Sequence, residues 1–156
     1  NGETVAVQHI STLWGLRKEY VVRIEQRSPL ARIRCGRSGY EWENQGASWA
    51  LRQVRGVSGR MVLMRNGQPL AAVQQQGRML HTWSEIVYDG RGYCLTYIRE
   101  RPGGYSLRDE AGDALLTAAG SDPDQIVLHR AMPLPLLVMA AMQIADEVVV
   151  EEVNNG

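Results

Sequence analysis

The chain has 156 residues and a mass of 17.4 kDa, the size of one domain that can bury a continuous core without disulfide bonds. Hydrophobic residues make up 44% and charged residues 22%, a composition that excludes a disordered or collagen-like chain. Because 17 Lys and Arg balance 17 Asp and Glu, general attraction to nucleic acid is disfavoured, and any anion-binding site must be local.

The two cysteines and the hydropathy pattern bear on redox state and location. Cys35 and Cys94 lie in alternating apolar stretches without metal-ligand spacing, which predicts buried free thiols and no cofactor. No segment reaches the roughly 18 apolar residues of a membrane span. We expect a cytoplasmic protein, either free or peripheral to a membrane, with no transmembrane span.

Most of the chain predicts short β-strands separated by turn residues, the spacing of an all-β barrel or sandwich. In the segment 31–35, for example, Ile33 and Cys35 alternate with Arg32 and Arg34, so the arginines occupy one face. Ten such strands are expected, at 20–26, 31–35, 49–55, 60–65, 68–74, 79–88, 93–100, 105–109, 114–118 and 125–130.

Tight turns predict that neighbouring strands pair as antiparallel hairpins. Asn66-Gly67 tolerates positive φ at both positions and favours a type I′ turn, while Pro69 just after it cannot donate to a strand ladder. Further hairpins are expected across 89–92 and 110–113. The spacing between Leu51 and Val54 breaks strict alternation and predicts a bulge.

One segment does not fit the strand pattern. Residues 131–142 read AMPLPLLVMAAM, without a polar side chain, and the two prolines suit the first turn of a helix. A helix over about 134–146 that is apolar on every side must be surrounded. We therefore expect a single domain over 1–156. Its fold class would be mainly β, with a closed antiparallel β-barrel of ten to twelve strands around one hydrophobic helix near the C-terminus.

Meandering strands followed by a Pro-Leu-Pro-Leu-Leu-Val start to an apolar helix resemble the Tubby C-terminal-like superfamily. Its members include the Tubby proteins, phospholipid scramblases and LURP-one-related proteins. The resemblance covers the whole chain in layout and residues 128–146 in motif. It implies a closed barrel of about twelve strands around a hydrophobic helix, and lipid head-group binding by basic residues on the barrel wall. No individual lipid-binding residue of those proteins matches a position of this chain.

Residue types that carry catalysis do not converge in the sequence. His9, His81 and His129 are too scattered for a zinc motif, and phosphate-binding or nucleophile-elbow motifs are missing. Asp109 and Glu110 fall in an expected hairpin turn, where solvated carboxylates are common. The sequence therefore predicts a protein that is not an enzyme, without catalytic residues, metal ligands or cofactors.

Arginine supplies the only candidate site. Arg52, Arg55, Arg60 and Arg65 fall within fourteen residues and form the densest cationic stretch, which suits binding of anions such as lipid head groups. A second set comprises Arg32, Arg34 and Arg37. The competing interpretation is that these are solvent-facing strand arginines without a ligand.

The function that we expect is a non-enzymatic binding or scaffolding module of Tubby-like type. Its partner would be an anionic phospholipid head group or another protein. One alternative is a small-ligand carrier or enzyme with a pocket inside the barrel, as in lipocalins. A second alternative is nucleic-acid binding through arginine with tyrosine and tryptophan, which the zero net charge makes unlikely.

Overall fold

A computed structural model describes residues 2–12, 17–24, 29–36, 39–56, 60–78, 81–98, 104–119 and 126–155. Within them lie twelve strands and one helix. The strands are β1 (Glu3–Thr12), β2 (Arg17–Ile24), β3 (Ala31–Gly36), β4 (Gly39–Asn44), β5 (Ala47–Gln53), β6 (Arg60–Arg65), β7 (Gln68–Arg78), β8 (His81–Tyr88), β9 (Arg91–Ile98), β10 (Gly104–Asp109), β11 (Ala114–Ala119) and β12 (Ile126–Leu128); the helix is α1 (Leu134–Asn155).

The strands form a closed antiparallel barrel in which each strand pairs with the next and β12 returns to β1. Glu3 lies opposite Leu128 and Val5 opposite Ile126 where the first and last strands meet. The predicted fold class is confirmed. Closure leaves no free sheet edge, because every strand has a neighbour on both sides.

The hairpin connections divide the barrel into two ends. At one end, here called the proximal end, lie the turns at residues 45–46, 66–67, 89–90 and 110–113, together with the link from β12 to the helix. The opposite, distal end carries the connection from β5 to β6. Because α1 starts directly after the proximal link, the helix passes into the barrel from the proximal end.

The predicted type I′ turn is confirmed, and two further turns of the same type accompany it. Asn66 and Gly67 have φ of 49° and 80°, and Asp89-Gly90 and Gln45-Gly46 likewise combine two positive φ values. The Asn66 side-chain Oδ1 also accepts a hydrogen bond from the Ser48 backbone amide at 2.9 Å, and the Asn66 backbone amide donates to the Ser48 carbonyl at 2.7 Å. This turn is therefore fixed to the neighbouring strand β5.

The bulges lie elsewhere than expected. β5 pairs with β6 in continuous register, so the bulge predicted between Leu51 and Val54 is wrong; Val54 follows the strand and donates its amide to the Arg60 carbonyl. One register shift instead follows Leu63 on β6, opposite the residues after Pro69. Proline removes a ladder donor at that point, and a bulge accommodates the loss.

Two strands were missed from the sequence. β1 contains the alternation of Val5 and Val7, both buried, which the strand pattern could have revealed. β4 carries Glu41 and Glu43, residues that are poor strand formers, and only Trp42 among these three points into the core. The predicted strand ends at 25–26, 79–80, 99–100 and 125 lie outside the described residues.

The helix fills the barrel axis. It begins at Leu134, as predicted, and continues past the predicted end to Asn155. At its start the Pro133 carbonyl accepts a hydrogen bond from the Leu137 amide at 3.1 Å. Every residue from Leu136 to Met142 is at most 2% exposed. Since seven successive residues cover almost two helical turns, the helix is enclosed in all directions. Its side chains share one core with inward residues of the strands.

We predict that Met139→Asp leaves the domain unfolded or aggregated. The six largest buried helix side chains contribute on the order of 10 kcal/mol before entropy, comparable to the whole net stability of a domain. An unpaired carboxylate at the fully buried Met139 opposes that burial. Thermal and urea melts test this, with Val87→Asp, on the 54% exposed Val87, as the matched control. Cooperative unfolding of Met139→Asp near the parent midpoint, or of a chain ending at Arg130, would contradict the enclosed helix.

A second prediction concerns Gln143, whose side-chain Oε1 is buried in the helix without a hydrogen-bond partner among the described residues. An unsatisfied buried acceptor costs roughly 1–3 kcal/mol, so Gln143→Met, which keeps the length of the side chain, is expected to raise the unfolding midpoint. Urea denaturation at constant m-value measures the change. A lower midpoint would show that the Gln143 amide is needed inside the barrel.

Candidate functional site

The structure separates the four arginines that the sequence grouped together. Arg52 points outward from β5 towards the distal end, and Arg55 and Arg60 lie where β5 and β6 meet at that end. Arg65 lies at the other end of β6, about 17 Å from Arg60 at 3.3 Å per strand residue. A single site built from all four is therefore not formed.

Arg65 belongs to an aromatic stack at the proximal end. Trp42 and Trp49 lie opposite each other on β4 and β5, with ring centroids 6.3 Å apart and planes 8° from parallel. The Arg65 guanidinium lies 5.6 Å from the centroid of the Trp49 ring, within reach of a cation–π interaction. This arrangement gives Arg65 a packing partner that the other three arginines lack.

A group of exposed arginines remains on the outer wall of β3 to β6 and the adjoining distal turn. We call it the basic strip; its members are Arg34, Arg52, Arg55 and Arg60. Arg52 lies opposite Val62, so Arg60, two residues away on β6, is its diagonal neighbour at about 7–8 Å between Cβ atoms. The sequence grouped Arg34 with Arg32 and Arg37, but in the structure it lies on the same wall as Arg52. Arg37 lies outside the described residues.

Acidic side chains neutralise part of the basic strip. Glu41 accepts a hydrogen bond from Arg52 Nη2 at 2.9 Å, and both side chains are about half exposed, so this pair adds little stability. Arg34, Arg55 and Arg60 have no ion-pair partner in the described part of the chain. The strip therefore retains positive charge that is available to a ligand.

A shallow groove of about 400 Å³ runs along the outer wall beside the basic strip. Arg34 and Arg52 line it together with Glu43, Ser48 and Met64. The groove contains both signs of charge and a methionine side chain, and it lies outside the barrel. It can hold an extended polar group but does not enclose one.

A second depression, the proximal cleft, has a volume of about 480 Å³ and lies beside the start of the helix. It is bounded by the start of β9, the turn between β10 and β11, and the link between β12 and α1. Its lining residues are Arg91, Gly92, Tyr93, Asp109, Glu110, Ala111, Leu115, Arg130, Ala131, Met132 and Pro133. None of them was selected as a binding residue from the sequence, because they come together only when β9, β11 and β12 meet at one end.

Hydrogen bonds fix the carboxylates around the proximal cleft. Glu110 Oε1 accepts a hydrogen bond from the Gly92 backbone amide at 2.7 Å, and this bond joins two hairpins. Asp109 Oδ1 accepts a hydrogen bond from the Asp113 backbone amide at 2.9 Å. Asp113 in turn binds Arg130 at 3.0 Å. The expected turn carboxylates at 109–113 thus hold the hairpin and the helix link in place.

His129, Cys35 and Cys94 line neither the groove nor the proximal cleft. His129 Nε2 lies 2.7 Å from Thr117 Oγ1 on the outer wall; Cys35 and Cys94, predicted to be buried, are only partly buried and form no disulfide bond. Among the described residues there is no group of three or more His, Cys, Asp and Glu that could hold a metal ion. The side chains of His9 and His81 lie outside the described part.

Comparison with protein families, with curated proteins and with solved structures finds no match to this chain. Within the described residues, no helix combines the length and hydrophobicity needed to cross a membrane.

We predict that Tyr88 gives the stability of the protein an alkaline pH dependence. Burial raises the pKa of Tyr88 above 10.0, Asp89 raises it further, and Arg65 opposes the change. The folded state then binds more protons than the unfolded state above pH 10, so this contribution is present below pH 10 and is lost as pH rises through the folded pKa. Urea melts between pH 8 and 11 should fall less steeply for Tyr88→Phe than for the parent; equal slopes would contradict the assignment.

Proposed function

We propose that this protein is a non-enzymatic binding module of Tubby-like type that recognises its partner on the outside of the barrel. The observation that carries the proposal is the complete burial of the helix from Leu136 to Met142. Since these side chains occupy the barrel axis, the interior is packed as a core. Recognition is then left to the wall and to the two ends.

The layout of the fold supports the Tubby-like assignment. A closed antiparallel barrel of twelve strands around a hydrophobic helix near the C-terminus is what the resemblance implies. The proline-containing start of the helix, at Pro133 and Pro135, lies at the proximal end beside the last strand. Fold alone does not carry function, so the choice of partner rests on the charged surface.

The partner that we propose is an anionic phospholipid head group, bound by the basic strip. Arg34, Arg55 and Arg60 are exposed and lack ion-pair partners among the described residues, and arginine forms two-pronged hydrogen bonds with phosphate. On this wall Glu41 is already bound to Arg52, and Glu43 lies two residues further along β4 towards the proximal end. The three arginines without an ion pair among the described residues attract an anionic surface even though the net charge of the chain is zero.

The alternative functions receive less support from the geometry. A lipocalin-like carrier requires an open interior, whereas the helix occupies it here. Nucleic-acid binding by stacking requires exposed aromatic rings, but Trp42 and Trp49 are at most 9% exposed. A protein partner that binds the basic strip would have to be acidic. Such a partner would compete with anionic vesicles for the strip, whereas a lipid partner needs only the vesicles.

Liposome flotation tests the lipid proposal. Vesicles of phosphatidylcholine with phosphatidylserine should carry the protein upward, vesicles of phosphatidylcholine alone should not, and binding should weaken as salt shortens the Debye length from about 10 Å at 0.1 M. The double variant Arg55→Glu and Arg60→Glu should lose flotation. The matched control, Arg65→Glu and Arg91→Glu at the proximal end, changes the net charge equally and should retain it.

Two outcomes would reject the lipid proposal. The first is that the protein does not float with anionic vesicles, which would show that it does not bind them. Equal losses in the two double variants would show attraction to net charge rather than recognition by the basic strip. Thermal melts of both variants establish that each remains folded before flotation is compared.

A further inference from the structure

The proximal cleft has the build of a small-molecule site. Its volume of about 480 Å³ falls within the range of roughly 300–1,000 Å³ that is typical of ligand pockets. Leu115, Met132, Pro133 and the ring of Tyr93 supply apolar surface, and Leu115 is 7% exposed. A ligand that enters this cleft therefore contacts hydrocarbon below and polar groups at the rim.

The polar groups of the rim are unequally engaged. Glu110 already accepts a hydrogen bond from the Gly92 amide, and Asp109 accepts one from the Asp113 amide. Arg130 donates to Asp113. Arg91, in contrast, is exposed and has no hydrogen-bond or ion-pair partner among the described residues. Asp109 and Glu110 each keep a second carboxylate oxygen, while Arg91 is the rim guanidinium whose donors are all unused among the described residues.

The backbone fixes where that donor lies. Arg91 is the first residue of β9 and pairs with Tyr88 across the two-residue turn Asp89-Gly90. Two steps along the same strand, Tyr93 lines the cleft, and Glu110 binds the amide of the intervening Gly92. The hairpin of β8 and β9 is hydrogen-bonded to Glu110 in the turn between β10 and β11, and it holds the Arg91 backbone beside the apolar floor of the cleft.

We propose that the proximal cleft binds a small organic monocarboxylate, whose carboxylate pairs with Arg91 and whose apolar body packs on Leu115, Met132 and Tyr93. One uncompensated guanidinium matches one carboxylate in the two-pronged geometry that arginine favours. The carboxylates of Asp109 and Glu110 add negative charge to the same rim, so a doubly charged phosphate is disfavoured more strongly than a singly charged carboxylate.

This site is separate from the basic strip, and its test does not depend on lipid binding. The cleft lies at the proximal end and the unpaired arginines Arg55 and Arg60 at the distal end. A variant of the basic strip that loses lipid binding can still be tested for ligand binding in the cleft, and a variant of the cleft can still be tested for lipid binding. A bilayer is excluded as the occupant by the size of the cleft, which accommodates one small molecule.

Calorimetric titration with 2-naphthoate tests the inference, with the uncharged 2-naphthamide as the ligand control. We expect 2-naphthoate to bind at least about tenfold more tightly than the amide, since one charge-assisted contact is worth about that factor. Arg91→Gln should abolish the difference between the two ligands, and Arg91→Lys should restore part of it. Arg60→Gln, an equal charge change at the distal end, should have no effect.

A second variant tests the location independently of Arg91. Ala111→Trp places a large side chain at the exposed rim, away from the core, and should weaken binding of both ligands. Equal affinity for the carboxylate and the amide, unchanged binding in Arg91→Gln, or no heat of binding up to millimolar ligand would each overturn the proposal.

Discussion

An apolar helix that presents hydrocarbon in every direction has to be enclosed, and this requirement governs the rest of the structure. A single packed surface would cover only one side of Leu136, Val138 and Met139, leaving the other sides in water. A sheet that closes on itself covers all of them. The return of β12 to β1 therefore completes the enclosure of the helix.

Enclosure of the helix also decides where recognition can take place. In the eight-stranded barrels of lipocalins the axis holds a ligand, whereas here it is filled by residues 136–144. The wall and the ends remain, and they differ in chemistry. The basic strip offers three arginines without an ion pair among the described residues on the outer wall, which suits an extended anionic partner. The proximal cleft combines an apolar floor with one free guanidinium, which suits a small molecule with a single charge.

The arginines show how proximity in sequence differs from proximity in space. Arg60 and Arg65 are five residues apart and occupy opposite ends of one strand, because an extended chain advances about 3.3 Å per residue. Arg34 lies far from Arg52 in sequence but joins it through β4, where Glu41 pairs with Arg34 in register and binds Arg52. Register between strands thus determined which charges cooperate and which are neutralised.

The sequence by itself determined the elements whose signals are local. The type I′ turn at Asn66-Gly67, the alternation in β3 and β5, and the apolar helix from Leu134 follow from the conformations and burial that these residues favour. From the helix, closure of the sheet could also be inferred. The tertiary structure alone decided the pairing of β1 with β12 and the assembly of the proximal cleft. These depend on contacts between residues up to 125 positions apart, such as Glu3 with Leu128, and no local preference of either residue encodes them.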